Sequence, residues 1–255
     1  MKRAALVVLS LVFCAGCLDV EQQLILNGDA SGSLEVRYSI LEESISQIDA
    51  MMKIEREMAR VAGETADAED GREWERLFLN PRNEDLAKKL KQYEKYGVTV
   101  DELTVNARGA RRHVHLKVVF GNLAKVSQTD VFAQHGFSLI RGPKGSYAIY
   151  RPPVSTEYDQ TADFSDPETV ALLRPLLSGF RFLLTIQTPG RVLRTTAPRR
   201  TFNSASWEFE FDRDPNALVA LQSQQFSVIF EGTGLSLPEI RRRKAEEGLA
   251  GPDGG

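Results

Sequence analysis

The sequence predicts an α+β fold with a mainly antiparallel sheet built from hairpins, a helical insert, and helices packed on one face of the sheet. Short alternating patterns with tight turns between them, such as Ser33–Ile40, indicate strands. A helical pattern occupies residues 41–96. Strand pairs joined by turns outnumber strand–helix–strand units, and this favours antiparallel pairing.

The composition is that of an ordinary globular protein. The chain has 255 residues, of which 42% are hydrophobic and 26% charged, so it is long enough to bury a sizeable core. Its net charge of −3 provides no general attraction to nucleic acid. Cys14 and Cys17 are the only cysteines, so the rest of the chain has no disulfide framework and no cysteine-based zinc site.

The N-terminus has the pattern of a processed signal. Met1–Arg3 is positively charged, and Ala4–Phe13 is apolar but too short to span a bilayer. Ala15 and Gly16 before Cys17 resemble the bacterial lipobox, which predicts a signal peptide over 1–16 and acylation of Cys17. Two or more acyl chains make a stable membrane anchor. The alternatives are an ordinary secretory signal cleaved near Gly16 and a buried N-terminal helix.

The first elements after the signal form a predicted β-hairpin. Val20–Leu26 and Ser33–Ile40 are strand-like, and Asn27–Gly32 between them is rich in residues that accept a positive φ. The same loop matches the first positions of a calcium-binding loop. Tyr38 stands where that loop needs a bidentate carboxylate, so a plain hairpin turn is the favoured interpretation.

A helical insert near residues 41–96 follows the hairpin. Leu41–Ala62 carries apolar residues near helical spacing, and Asn83 is a suitable N-cap for a helix over Glu84–Tyr96. The first helix carries three methionines that either fill the core or line a lipid cavity: Met51, Met52 and Met58.

Strands dominate the rest of the chain. The predicted strands are Val98–Ala107, Arg112–Phe120, Phe137–Ile140, Tyr147–Tyr150, Phe180–Gln187, Arg191–Thr195, Trp207–Phe211 and Phe226–Phe230. Two helices interrupt them, one over residues 166–178 and a short one after Asp214-Pro215. Residues 17–237 are expected to form a single domain, and residues 238–255 a disordered tail that is charged and rich in glycine.

The sequence points to no catalytic or metal site. His113 and His115 form an H-x-H pattern that some zinc sites use. Val114 and Leu116 alternate with them, so the histidines are expected on the solvent face of a strand, among basic residues that disfavour a cation. Nucleophile-elbow, dinucleotide-binding and phosphate-binding motifs are absent from the sequence. We therefore expect no catalytic residues, no cofactor and no metal.

Two segments resemble the LppM-like group of bacterial envelope lipoproteins. They are CLDVEQQLILNGDASGSLEVRYSI, which starts at Cys17, and LLTIQTPGRVLRTTAPRRTFNSASWEFEF, in which a strand leads through Pro189-Gly190 and a polar loop to a strand with Trp207. The helical insert is longer than is typical of the group. The resemblance implies an α+β ectodomain similar to lipid-transfer folds and a role in binding envelope lipids. It implies no catalytic residues.

Together these observations predict a bacterial envelope lipoprotein that is not an enzyme. It would be anchored on the non-cytoplasmic side of the cell membrane or the outer membrane, and its ectodomain would bind a lipid or another apolar envelope component. The alternative is a structural or assembly lipoprotein that acts through contacts with envelope proteins. A large apolar cavity would favour the first function, and a filled core with an exposed apolar patch the second.

Overall fold

The computed structural model describes residues 18–46, 50, 53, 73–129, 137–151, 153 and 178–240. The fold is mostly β and has a seven-stranded and a four-stranded sheet, so the predicted α+β fold with a mainly antiparallel sheet is wrong. The strands are β1 (Asp19–Leu26), β2 (Gly32–Leu41), β3 (Val98–Arg108), β4 (Arg111–Phe120), β5 (Ser138–Arg141), β6 (Ser146–Arg151), β7 (Arg181–Gln187), β8 (Val192–Thr195), β9 (Arg199–Arg200), β10 (Ser204–Glu210) and β11 (Phe226–Glu231). The short helices are α1 (Glu73–Leu79), α2 (Asn83–Lys91), α3 (Leu123–Val126) and α4 (Ala217–Ser223).

The large sheet has the strand order β3-β4-β2-β1-β7-β10-β9, and its first two hairpins are those that the alternating patterns predict. In the β1–β2 turn, the hydroxyl of Ser31 donates to Asp29 at 2.6 Å and its backbone N–H at 3.0 Å. These two bonds lower the pKa of Asp29. The positive φ falls on Ala30, at 68°. The acidic side chain of this loop therefore closes the turn.

One strand pair makes the large sheet mixed. β1 and β7 run parallel, with Asp19 opposite Arg181 and Ile25 opposite Gln187. Asp19 and Arg181 are 162 positions apart in the chain. Parallel strands are not joined by a tight turn, so the alternation within either strand does not identify its partner.

The second sheet is antiparallel and has the order β5-β6-β11-β8. The chain crosses from β7 in the large sheet to β8 in this sheet through Pro189-Gly190. A β-carbon on Gly190 would lie 1.9 Å from the carbonyl oxygen of Glu231 in β11. Only glycine allows the two backbones to approach so closely.

The large sheet has an apolar inner face and a polar outer face. The second sheet packs over one end of the inner face, where Leu26 and Phe120 belong to the same buried cluster as residues of β5, β6 and β11. Helices α1 and α2 cover the other end. Their buried cluster consists of Leu77 and Leu86 from the helices and Val20, Tyr38 and Val114 from the strands.

The helices do not form the single layer that the sequence predicts, because the second sheet takes the other part of the inner face. Residues 42–46 are helical, but most of the helix predicted over 41–62, with its methionines, lies outside the described residues. Asn83 is the first residue of α2 rather than its cap, since Arg82 holds the N-cap position. The helix ends at Lys91, and Glu94–Tyr96 form a separate 3₁₀ turn.

The packed chain extends to Ile240, beyond the domain boundary predicted at 237. Ile240 is 6% exposed and exchanges two backbone hydrogen bonds of 2.8 Å with Leu139 of β5. The predicted signal peptide over 1–16, Cys17, most of the helix predicted over 166–178, and residues 241–255 lie outside the described residues. Within the described ranges, no helix is long and apolar enough to cross a bilayer.

Candidate functional site on the inner face of the large sheet

A strip of partly exposed residues, nearly all apolar, crosses the middle of the inner face. The residues lie in two neighbouring rows of cross-strand partners over β1 to β4. Each is neither fully buried nor fully exposed, although it lies on the same face as the core residues of its strand. We call these six residues the inner strip: Gln22, Leu24, Leu34, Val36, Leu103 and Leu116.

The inner strip is open because it lies between two separately covered regions. On β1, Val20 and Leu26 are only 3% and 2% exposed, whereas Gln22 and Leu24 between them are partly exposed. Val20 is covered by α1 and α2, and Leu26 by the second sheet. The strip is therefore an apolar surface with a helical wall on one side and a β wall on the other.

Two aromatic residues fix the helical wall. Trp74 of α1 stacks on Tyr93 with ring centroids 6.0 Å apart, and its indole N–H donates to the Tyr93 hydroxyl at 3.0 Å. The ammonium of Lys89 lies 5.9 Å from the Trp74 ring and 6.0 Å from the Tyr93 ring. Trp74 and Leu103 each pack against both buried clusters, so this wall stands directly beside the strip.

A small apolar cleft continues from the strip at Leu24. It is lined by Leu24, Leu26, Leu123, Phe137, Ser138, Leu139 and Ile149. Its volume is about 20 Å³, which is close to the space that one water molecule needs. This cleft is far smaller than the large apolar cavity that the sequence analysis associates with lipid binding, so an apolar ligand would contact these residues by lying along the strip.

Two buried polar side-chain groups of the large sheet have no hydrogen-bond partner among the described residues. They are the hydroxyl of Tyr38 and the indole N–H of Trp207. Tyr38 is 6% exposed and stacks on Phe78 at 4.4 Å. Burial raises the pKa of Tyr38, and the positive charge of Arg112 opposes this only in part. The Tyr38 side chain is thus neutral, and it lies one row away from Val36 of the strip.

The histidines of the H-x-H pattern lie on the outer face, as predicted from the apolar residues that alternate with them. His113 is exposed. His115 places Nε2 at 2.6 Å from Glu35 Oε1 and Nδ1 at 2.8 Å from Glu102 Oε1. Carboxylates on both neighbouring strands therefore lie against its two ring nitrogens. The described residues contain no group of three or more side chains that could hold a metal ion.

Arg181 is the centre of a charged cluster on the outer face. Its Nη1 lies 2.7 Å from Glu21 and 3.2 Å from Asp19, both on β1. Its Nε lies 3.1 Å from Glu208 and 3.7 Å from Glu210, both on β10. Burial raises the pKa of Glu208, but hydrogen bonds from Arg181 and from an arginine of β9 outweigh burial and lower it. The cluster ties together the ends of β1, β7 and β10.

The structure adds a surface that the sequence analysis does not identify. Cys17, the one site residue predicted from the sequence, lies outside the described residues, so its acylation stays a prediction. In the sequence, the residues of the inner strip follow the alternation that is typical of the buried face of a strand. Gln22 is the one polar member of this alternation and the one local sign that this row is incompletely covered.

Comparison with known proteins finds distant structural similarity. No protein family matches the chain, and no curated protein matches it significantly. The chain is similar to the NMR structure of the folded domain of LppM from Mycobacterium tuberculosis, with 12% sequence identity and a TM-score of 0.40. The match covers 85% of this chain and 91% of that one. At this TM-score, no property of LppM is transferred to this chain.

Proposed function

We propose that this chain is a bacterial envelope lipoprotein, acylated at Cys17, whose β-rich domain binds a lipid or another apolar envelope component along the inner strip. The observation that carries this proposal is the strip itself. Apolar side chains on four adjacent strands remain partly exposed there, while on β1, β2 and β4 the inward-facing residues on either side of them are buried.

The dimensions of the strip suit an acyl chain. Three inter-strand spacings of about 4.8 Å give a width of about 14 Å across β1 to β4. Each methylene group that leaves water on this surface contributes roughly 0.8 kcal/mol. A chain that lies across the strip would cover the apolar side chains and leave its polar end at the rim.

The proposed anchor places the domain close to a membrane. Cys17 is two positions before Asp19, the first residue of β1, so little chain separates the acyl groups from the large sheet. The proposed location is the non-cytoplasmic side of the cell membrane or the outer membrane. The proposed activity is binding, with no catalytic step and no cofactor.

The anchor is tested by mass spectrometry and membrane fractionation of the wild type and Cys17→Ser. We expect a wild-type chain that starts at Cys17 and carries acyl groups, and a variant that leaves the membrane fraction. An unmodified wild-type chain, with the same fractionation for both proteins, would contradict the proposal.

Lipid binding is tested by native mass spectrometry of the protein extracted gently from its own membrane. We expect a reproducible lipid adduct in the wild type and its loss in Leu116→Glu, which places a charge in the strip. Val119→Glu is the matched control, because Val119 lies on the outer side of the same strand and is 37% exposed. Thermal melting verifies that both variants are folded. Equal adducts in the two variants, or none in the wild type, would contradict binding along the strip.

A further inference from the structure

We propose that the end of the molecule formed by the β9–β10 loop and the start of β8 docks on the surface of an anionic lipid bilayer. We call this surface the distal tip; it consists of Leu193, Arg194, Arg200 and Phe202. The proposal concerns a different surface from the inner strip and holds whether or not the strip binds lipid.

The distal tip exposes two large apolar side chains on neighbouring segments. Phe202 is 72% exposed and Leu193 is 43% exposed, the highest values among large hydrophobic residues of the described chain. The backbone N–H of Val192 donates to the carbonyl of Phe202 at 2.7 Å, so the two segments lie next to each other. Exposed aromatic and aliphatic side chains with basic neighbours are typical of surfaces that enter the headgroup region of a bilayer.

Basic residues lie next to these apolar residues in the chain. Arg194 and Arg200 are exposed, and neither forms an ion pair with a described carboxylate. Two further arginines lie close by in the chain: Arg191 lies 3.6 Å from Glu231, and Arg199 is paired with Glu208. The tip therefore has an excess of positive charge, and guanidinium groups bind phosphate with two parallel hydrogen bonds.

The backbone holds the tip rigidly. The N–H of Thr201 donates to the carbonyl of Ser204 at 2.9 Å and closes the two-residue loop that contains Phe202. The N–H of Thr188 donates to the carbonyl of Asn203 at 2.9 Å, which ties this loop to the turn before β8. A fixed loop loses little conformational freedom when it docks. The loop is a tight turn, and this shape suits contact with the surface of a bilayer better than contact with a bound peptide.

The tip lies at the end of the large sheet that is remote from the start of β1. Ser204 is opposite Gln187, and Gln187 is opposite Ile25, six positions beyond Asp19 in β1. At about 3.3 Å per residue, this separation is about 20 Å. A protein held at Cys17 and at the distal tip would therefore have membrane contacts at both ends of its large sheet.

The test is co-sedimentation of the mature protein with phosphatidylcholine vesicles, with and without phosphatidylglycerol. All proteins begin at position 17, as the proposed mature chain does, and carry Cys17→Ser, so that neither the signal peptide nor acylation contributes to binding. We expect the parent protein to bind the anionic vesicles more strongly, and Arg200→Glu and Phe202→Ala each to lower that binding about tenfold. Arg108→Glu is the matched control, because it changes the net charge equally and lies in the β3–β4 turn at the opposite end of the sheet.

Two results would overturn the proposal. One is equal binding to anionic vesicles by the parent protein, Arg200→Glu and Phe202→Ala. The other is a photocrosslinking residue at position 202 that captures an envelope protein in cells while vesicle binding does not depend on the tip; the tip would then be a protein interface. Both variants change exposed side chains, and thermal melting checks that they remain folded.

Discussion

At the scale of single residues, Gly190 shows how one missing side chain allows the two sheets to join. The chain leaves the large sheet at this position and enters the second sheet beside the carbonyl of Glu231. The surrounding backbone belongs to β8 and β11, so it cannot move aside without disturbing the pairing of these strands.

We therefore expect Gly190→Ala to lower the free energy of unfolding by about 3 kcal/mol, because a methyl group must be forced against a backbone carbonyl. Urea denaturation measures this change. Gly121→Ala is the control, since a β-carbon there meets no atom within 4 Å, and it should change stability by less than about 0.5 kcal/mol. Equal denaturation midpoints for the two variants would show that the junction can relax.

At the scale of secondary-structure elements, local patterns predict the hairpins but not the way they combine. The β1–β2 and β3–β4 hairpins have alternating residues and a turn within one short segment, so the sequence is sufficient to predict them. The parallel pairing of β1 with β7 has no such local signal. Ion pairs on the outer face, above all those of Arg181, contribute to holding these distant strands together.

Arg181→Met tests this contribution. We expect the free energy of unfolding at neutral pH to fall by on the order of 1 kcal/mol, because four carboxylates lose their shared partner while remaining close to solvent. Urea denaturation at pH 7 measures this loss. Arg191→Met, which removes a single exposed contact of 3.6 Å, is the control and should change stability very little.

The same variant should also change the pH dependence of stability. In the wild type the pKa of Glu208 is lowered in the folded state, so the stability that it contributes is present above the unfolded pKa of about 4.5 and is lost as the pH falls. Without Arg181 the pKa of Glu208 rises towards that unfolded value. Denaturation midpoints should therefore fall less steeply with acidification in Arg181→Met than in the wild type. If the denaturation midpoints of the two proteins fall equally with pH, carboxylates other than Glu208 cause the loss of stability in acid.

At the scale of the whole molecule, Ile240 shows that the domain includes residues that resemble a tail in the sequence. The charged residues that follow it suggest a solvated segment, but the side chain of Ile240 is buried beside Leu139. Its contact depends on β5, which is about a hundred positions earlier in the chain.

We expect Ile240→Ala to lower the free energy of unfolding by about 2–4 kcal/mol, because it leaves a cavity in the core. Thermal or urea denaturation measures the change. Leu193→Ala is the control, since Leu193 is 43% exposed and its truncation leaves no buried cavity. A midpoint for Ile240→Ala equal to that of the control would place the domain boundary at 237, as predicted from the sequence.

The candidate site also belongs to the scale of the whole molecule. In the sequence, Leu116 and Val36 have the pattern of ordinary core positions. Alternation shows which face of the sheet a residue occupies, but it does not show what covers that face. Their partial exposure results from the separate packing of α1–α2 and of the second sheet. Phe202 likewise lies in a short loop, and its exposure depends on the hydrogen bonds that join this loop to the turn before β8.

The sequence by itself determined the hairpins and the polar and apolar faces of their strands, and it predicts a processing site at Cys17. These features depend on residues that are close together in the chain. Only the tertiary structure decided the parallel β1–β7 pairing, the separation into two sheets, and the uncovered inner strip. These features depend on contacts between segments that are far apart in the chain. The segments that pack together are those whose contact buries the most apolar area, and the pattern of one segment does not show which segment will cover it.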